Sequence, residues 1–284
     1  MSTMPLRCFK YRSGASAIRC LQEGTLYFAA PDELNDTLEA NFDSTSPADS
    51  ARLLQKAINE VVAKHNGGRQ ETIAPPTDEL IDIVGSEDAR FQLFTKTMGI
   101  FSAAKEPDNQ AMWAYYADDM KGVCFELEWS KQVLDKHGLV ARDVIYSDFP
   151  RVFSRATFFK NCFLQLSQEN PNIDEEELRN LTFDEDFRRC WGINCASAIA
   201  SIKHTDWQHE QEIRILSAKA GAKLVLAETL RRVHFVKANG EDWGECMRLI
   251  YQNYPSVEVV QWEFSHGKLA KTAKLMKFKL VKMY

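Results

Sequence analysis

The sequence predicts an α+β fold with a split, twisted and mainly antiparallel sheet. Short apolar strands recur along all 284 residues. Two helical blocks, at about 43–98 and 152–203, interrupt them as insertions. No internal repeat or low-complexity run breaks this pattern, so one α+β domain over residues 1–284 is expected.

The elements follow in order. "LRCFKYRS" (6–13) alternates apolar and basic side chains, the period of a strand with two unlike faces. "SGASAIRCLQEG" is a helix with Ser13 or Ser16 as N-cap and Gly24 as its stop. "TLYFAAP" is a second strand, ended by Pro31, and "DELNDTLEANFD" is a polar loop or a short helical turn. "SPADSARLLQKAINEVVAKH" (46–65) is an amphipathic helix with a capping signal, and "NGGRQETIAPPTD" behind it is the best linker in the chain. Residues 77–98 are helical with a break near Gly85. "GIFSAA" is a strand, "NQAMWAYYADDMKG" a short helix, and "GVCFELEW" and "VARDVIYS" are strands. Phe153 to about Lys203 is mostly helical, interrupted near Pro171. "WQHEQEIRIL" (207–216) reads as a strand throughout. After "AKLVLAETLRRVHFV" come a helix from Asp242 to about Gln252, the strand "VEVVQWEF" and a last strand "KLMKFKLVKM".

Composition bounds the function. At 45% hydrophobic and 26% charged residues the chain has the balance of a soluble globular protein. A formal net charge of −5 argues against broad nonspecific nucleic-acid binding. Eight carboxylates crowd Glu169 to Asp186 against Arg179 alone, and six lysines with no acid follow His266. A solvated helix and a lysine-guarded edge strand account for both runs. The seven cysteines form no CxxC and mostly sit among apolar neighbours, as buried free thiols do, which implies a reducing, cytoplasmic setting. "MSTMPLRCFKYR" lacks the apolar core of a signal peptide, and no apolar run approaches a membrane span, so no membrane partner is expected.

Motifs for metals, activated serines and phosphate loops are missing: there is no HExxH, GxSxG, P-loop or GxGxxG with a ribose-binding acid. No metal is therefore expected. Four stretches carry more chemistry than packing requires. In "FKYRS", Arg7, Lys10 and Arg12 flank Tyr11, a pattern that grips a phosphate and stacks a ring, or else faces solvent at a sheet edge. In "AAPDELNDTLE", Asn35 and Asp36 suit a turn. In "MWAYYADDMKGVCFE", Trp113, Tyr115 and Tyr116 crowd a short helix, where aromatic spacing also suits a core. In "WQHEQEIRIL", an extended chain puts Gln208, Glu210, Glu212, Arg214 and Leu216 on one face. Two carboxylates two residues apart raise the pKa of one of them, and Arg214 opposes that for Glu212. The row is a solvated ion-pair face or the floor of an active site.

Together, "YRS…LQEGTLYFAAPDELNDTLE…GIFSAA…MWAYYADDMKGVCFELE…W…EQEIRI" resembles the bacterial family known as domain of unknown function 2971, from about residue 6 to 265. Thr37 departs from it where proline is usual, which weakens the turn. The family's layout is in turn similar to ADP-ribosyltransferase folds. That resemblance implies NAD as a substrate, with Tyr11 and Arg12 gripping the dinucleotide, Asn35 and Asp36 beside it, and Ser102 on the strand at the cleft. It also implies that Trp113, Tyr115 or Tyr116 lines the nicotinamide site. Glu212 would be the catalytic carboxylate, with Glu210 assisting the acceptor and Arg214 beside them. Nicotinamide leaves through an oxocarbenium-like state that a carboxylate stabilises without a metal.

An NAD-dependent ADP-ribosyltransferase or NAD-cleaving effector, in bacterial conflict or phage defence, is the expectation. A noncatalytic nucleotide- or protein-sensing module and a metal-dependent nucleic-acid-processing enzyme are the alternatives. The acceptor, whether protein, nucleic acid, small molecule or water, is left open.

Overall fold

The computed structural model describes residues 4–36, 46–65, 76–78, 81–82, 85, 93–148, 177, 180, 184–185, 193–194, 196–236, 242–265 and 268–275. Its strands are β1 (Leu6–Arg12), β2 (Thr25–Tyr27), β3 (Gly99–Ala104), β4 (Val123–Trp129), β5 (Val140–Asp143), β6 (Ile145–Tyr146), β7 (Ile202–Lys203), β8 (Glu212–Ser217), β9 (Lys223–Val225), β10 (Leu230–Val236), β11 (Glu258–Ser265) and β12 (Lys268–Leu275). Contacts divide the chain into two compact units. One comprises Met1–Ala30, Gly99–Tyr146 and Lys203–Tyr284; the other comprises Pro31–Met98 and Ser147–Ile202.

The first unit is organised by one eight-stranded sheet in the order β12-β11-β10-β4-β1-β3-β8-β5. Every neighbouring pair is antiparallel except β10 with β11, which are parallel. That exception follows from the connection, because the helix Asp242–Asn253 lies between them and a parallel neighbour needs a crossover. The mainly antiparallel sheet expected from the sequence is present. β1 pairs with β4 along its whole length, from Leu6 opposite Trp129 to Arg12 opposite Val123.

Strand alternation gives the sheet two faces. On one, Cys8, Phe101, Phe125, Trp129, Ile213, Ile215, Val233 and Phe235 meet Ala17 and Leu21 of the helix Gly14–Glu23 and Leu249 and Ile250 of Asp242–Asn253. On the other, Phe9, Tyr11, Ala104, Cys124 and Trp262 meet Met112 and Trp113 of the helix Gln110–Tyr116. The first helix starts and stops where its sequence says. The Ser13 hydroxyl accepts from Ser16 N, and Gly24 takes φ 64° at the end. Of the expected cytosolic thiols, Cys8, Cys20, Cys124 and Cys246 are buried and free; Cys162, Cys190 and Cys195 lie outside the described residues.

Four expectations need correction. "TLYFAAP" yields a strand only over Thr25–Tyr27, with a lone bridge from Ala29 to Ile100. "VARDVIYS" breaks into β5 and β6 at Val144, whose N–H still bonds the Glu212 carbonyl at 3.1 Å while Glu212 N turns to the Tyr146 hydroxyl instead of completing the ladder. Among the described residues a strand not expected there covers Lys268–Leu275; "KLMKFKLVKM" lies mostly outside the described residues. The fourth, "WQHEQEIRIL", shapes the site below.

In the second unit, the helix Pro47–His65 begins at Ser46, whose hydroxyl accepts from Asp49 N at 3.1 Å and donates to the Asp49 carboxylate at 2.7 Å. The linker at 66–75 and most of 152–192 lie outside the described residues. No helix among the described residues is long and apolar enough to cross a membrane.

Candidate functional site

The stretch from Trp207 to Leu216 is not one strand. Thr205–Glu210 is a 3-10 helix, begun by the His204 ring accepting from Asp206 N, and Gln211 takes a left-handed conformation at φ 46°, ψ 53°. β8 starts only at Glu212. Glu210 and Glu212 therefore reach their common partner from two different elements.

That partner is Lys203. Its ammonium lies 2.6 Å from Glu210 Oε2 and 3.2 Å from Glu212 Oε2, and 4.7 Å from the centre of the Trp207 ring. Arg214 donates to Glu212 from Nε at 2.8 Å and from Nη2 at 3.1 Å, a two-toothed grip that fixes the carboxylate plane. The Tyr116 hydroxyl donates to Glu210 Oε1 at 2.5 Å. Ser102 on β3 stands opposite Arg214 and hydrogen-bonds Glu212 with its side chain. The Tyr146 hydroxyl accepts from Glu212 N at 2.7 Å. Glu210, Glu212, Lys203 and Arg214 are each 3% exposed or less.

Burying four charges costs several kcal/mol per ion unless each is paired. Here two acids meet two bases, so the cluster is neutral and tightly bonded. Burial pushes the Glu212 carboxyl up, but the Arg214 charge and hydrogen bonds, Lys203 and Ser102 outweigh it and hold the group at about 2. Glu212 is thus ionised at any physiological pH. From β1, the Lys10 ammonium donates to the Ser102 carbonyl at 2.5 Å. Burial and the neighbouring Arg12 bring that group down to about 7, against the pull of Glu212.

Of the residues expected at a site, Glu210, Glu212, Arg214, Ser102 and Tyr116 come together. Tyr11 and Trp113 pack edge to face in the core, 5.3 Å between ring centres. The Tyr11 hydroxyl donates to the Glu106 carbonyl, and the Trp113 indole N–H to the Pro107 carbonyl. Arg12 leaves β1 on the opposite face from Tyr11 and lies 3.4 Å from the Ser16 hydroxyl. Tyr115 is 72% exposed, its ring edge on His209. Asn35 and Asp36 belong to the second unit, just past the 3-10 turn Pro31–Glu33, with Asp36 buried. Sequence reasoning missed Lys203 and Tyr146. The only trace of Lys203 was a single basic residue in an otherwise small and apolar run, "SAIASIKH".

A second buried polar group lies on the same face as Phe9. Glu126 accepts from His234 Nε2 at 2.8 Å and from Arg232 at 2.8 Å, with Arg7 at 3.3 Å. The Trp262 indole N–H donates to His234 Nδ1 at 2.9 Å. Because indole only donates, Nδ1 must be bare, so the ring proton sits on Nε2 facing Glu126. Both ring nitrogens are thereby committed to the protein. Among the described residues, no group of three or more His, Cys, Asp or Glu side chains is placed to hold a metal ion.

Residues 112–215 match the profile of the family described as Protein of unknown function (DUF2971). The matched stretch contains Tyr116, Tyr146, Lys203, Glu210, Glu212 and Arg214; β1 and Ser102 precede it. Comparison with curated proteins and with solved structures returns no match.

Proposed function

We propose that this chain cleaves NAD, as an ADP-ribosyltransferase or an NAD hydrolase, with Glu212 as the catalytic carboxylate. The observation that carries the reading is the state of Glu212. Its carboxylate is buried, gripped by Arg214 through two hydrogen bonds and by Lys203 at 3.2 Å, and these charges with Ser102 hold its pKa well below the ordinary value. In such surroundings a fixed negative charge stabilises developing positive charge far better than it would in water. The bond between ribose C1′ and the nicotinamide nitrogen breaks with its electron pair going to nitrogen. The cationic ribose is attacked at C1′ by the acceptor, which gives up a proton.

The low pKa makes Glu212 a poor base, so the acceptor's proton falls to another group. Glu210, held between the Tyr116 hydroxyl and Lys203, shares that lysine with Glu212 and is the carboxylate proposed to take the proton. Arg214 orients Glu212. A cytoplasmic role in bacterial conflict or phage defence belongs to the same proposal and is supported by the family resemblance alone.

Nicotinamide release from NAD, with and without cell lysate as acceptor source, tests this. Glu212→Gln should lower the rate by about 10²–10³-fold, the size of losing one preorganised electrostatic group, while circular dichroism shows a folded protein. Purified protein that neither consumes nor binds NAD under any acceptor condition sinks the reading. One observation favours the noncatalytic sensor instead: the two carboxylates are neutralised one for one inside the protein. A nucleotide-dependent rise in melting temperature without turnover would select it.

A further inference from the structure

Outside the buried cluster, three rings form a row. The Tyr115 ring meets His209 edge-on at 5.9 Å between centres, and His209 stacks on Trp207 at 6.2 Å with 30° between planes. The row is layered over the charges: Tyr115 and His209 touch outside, and their chain neighbours Tyr116 and Glu210 touch inside. We infer that Tyr115, His209 and Trp207 form a binding site for a nucleobase, which stacks on the row and donates an N–H to His209 Nε2.

The row is built to stay in place. Asn109 caps the helix Gln110–Tyr116 by accepting from Met112 N, and its amide donates to the His209 carbonyl at 2.5 Å. One side chain thus ties both elements together. His209 Nδ1 lies 3.0 Å from the Asp206 carbonyl. A carbonyl only accepts, so Nδ1 carries a proton, which leaves Nε2 as the ring's acceptor in that tautomer. Lys203 sits against Trp207 at 4.7 Å, fixing that ring. The result is an exposed aromatic surface with one oriented acceptor at its edge.

A nucleobase complements that surface: it brings a planar π face to stack on the rings and N–H donors in the ring plane for the acceptor. Asp108, Asp118 and Asp119, in the stretch that bears Tyr115, are exposed carboxylates. With Glu106 they outnumber the exposed Lys105 and Lys121 at the ends of the stretch, and this negative balance disfavours a phosphate, so the base and not the backbone is recognised. This goes beyond the proposed chemistry and does not depend on Glu212.

Isothermal titration of the full chain with adenosine and AMP is the test. Adenosine should bind at least as tightly as AMP. Tyr115→Ala should weaken adenosine roughly tenfold, as loss of one stacking ring does. His209→Phe keeps a ring but removes the acceptor and should weaken it too. Both sites are exposed, so neither substitution should impair folding. NAD competing with adenosine would identify the base as the dinucleotide's own adenine; NAD and adenosine binding together would identify it as that of a second molecule. No adenosine binding at millimolar concentration, or binding unchanged in Tyr115→Ala, overturns the inference whatever happens to NAD. Adenosine binding without NAD cleavage leaves it standing and removes the catalytic reading instead.

Discussion

Lys203 has the largest local consequences of any residue in the site. It lies between two carboxylates, both buried, and each would be left partly unpaired without it. Lys203→Met should therefore cost about 3–5 kcal/mol of unfolding free energy, the usual result of breaking a buried ion pair. Lys203→Arg, which keeps the charge, should cost less, and chemical denaturation of the two variants measures the difference. The sequence marked Glu210, Glu212 and Arg214 because charges in an apolar strand are conspicuous. It could not mark Lys203, because one lysine after a helix is ordinary until the fold brings it to the acids. Tyr115 and Tyr116 show the same limit. Adjacent helical residues point about 100° apart, so only one can reach Glu210, and spacing alone does not say which.

Elements with strong local signals were legible. The helix Gly14–Glu23 has a serine cap and a glycine stop, and β1 is a run of apolar and basic residues whose adjacent Cys8 and Phe9 are both buried, one on each face. The 3-10 helix Thr205–Glu210 was not, since so short a segment has no period to detect and its terminator, Gln211, is not a residue that advertises a positive φ. That turn makes a checkable claim. A left-handed side chain costs about 1–2 kcal/mol, and glycine avoids this at a similar entropic cost. Gln211→Gly should leave stability within about 1 kcal/mol. Gln211→Val should destabilise by more than about 1 kcal/mol, because a β-branched residue fits φ near +46° poorly. Thermal melts of both variants decide it. A strand running unbroken through Gln211 would predict the opposite order, since valine favours strands and glycine weakens them.

For the whole molecule, the buried charges set the response to pH. Glu212 has a folded pKa of about 2 against an ordinary 4.5, and Glu126 is also lowered: burial opposes that shift, but His234 and the two arginines overcome it. Below the folded value both states are protonated, and above the unfolded value both are ionised. Between them the unfolded chain binds protons that the folded chain refuses. The stability these groups confer is therefore present above about pH 4.5 and is lost as pH falls towards about 2. Lys10 acts at the other end. Its folded pKa of about 7 lies below the ordinary 10.5, so between those values the unfolded chain again holds the extra proton. Its contribution thus rises with pH from about 7 to about 10.5. Denaturation midpoints from pH 2 to 10 should fall on the acid side, less steeply in Glu212→Gln. A rise between about pH 7 and 9 should flatten in Lys10→Met; above about 9 the thiols of Cys8, Cys20, Cys124 and Cys246, raised by burial, keep protons that the unfolded chain loses, and stability falls. An acid limb identical in wild type and Glu212→Gln would show that Glu212 is not held ionised by Arg214 and Lys203, and would remove the electrostatic basis for its catalytic role.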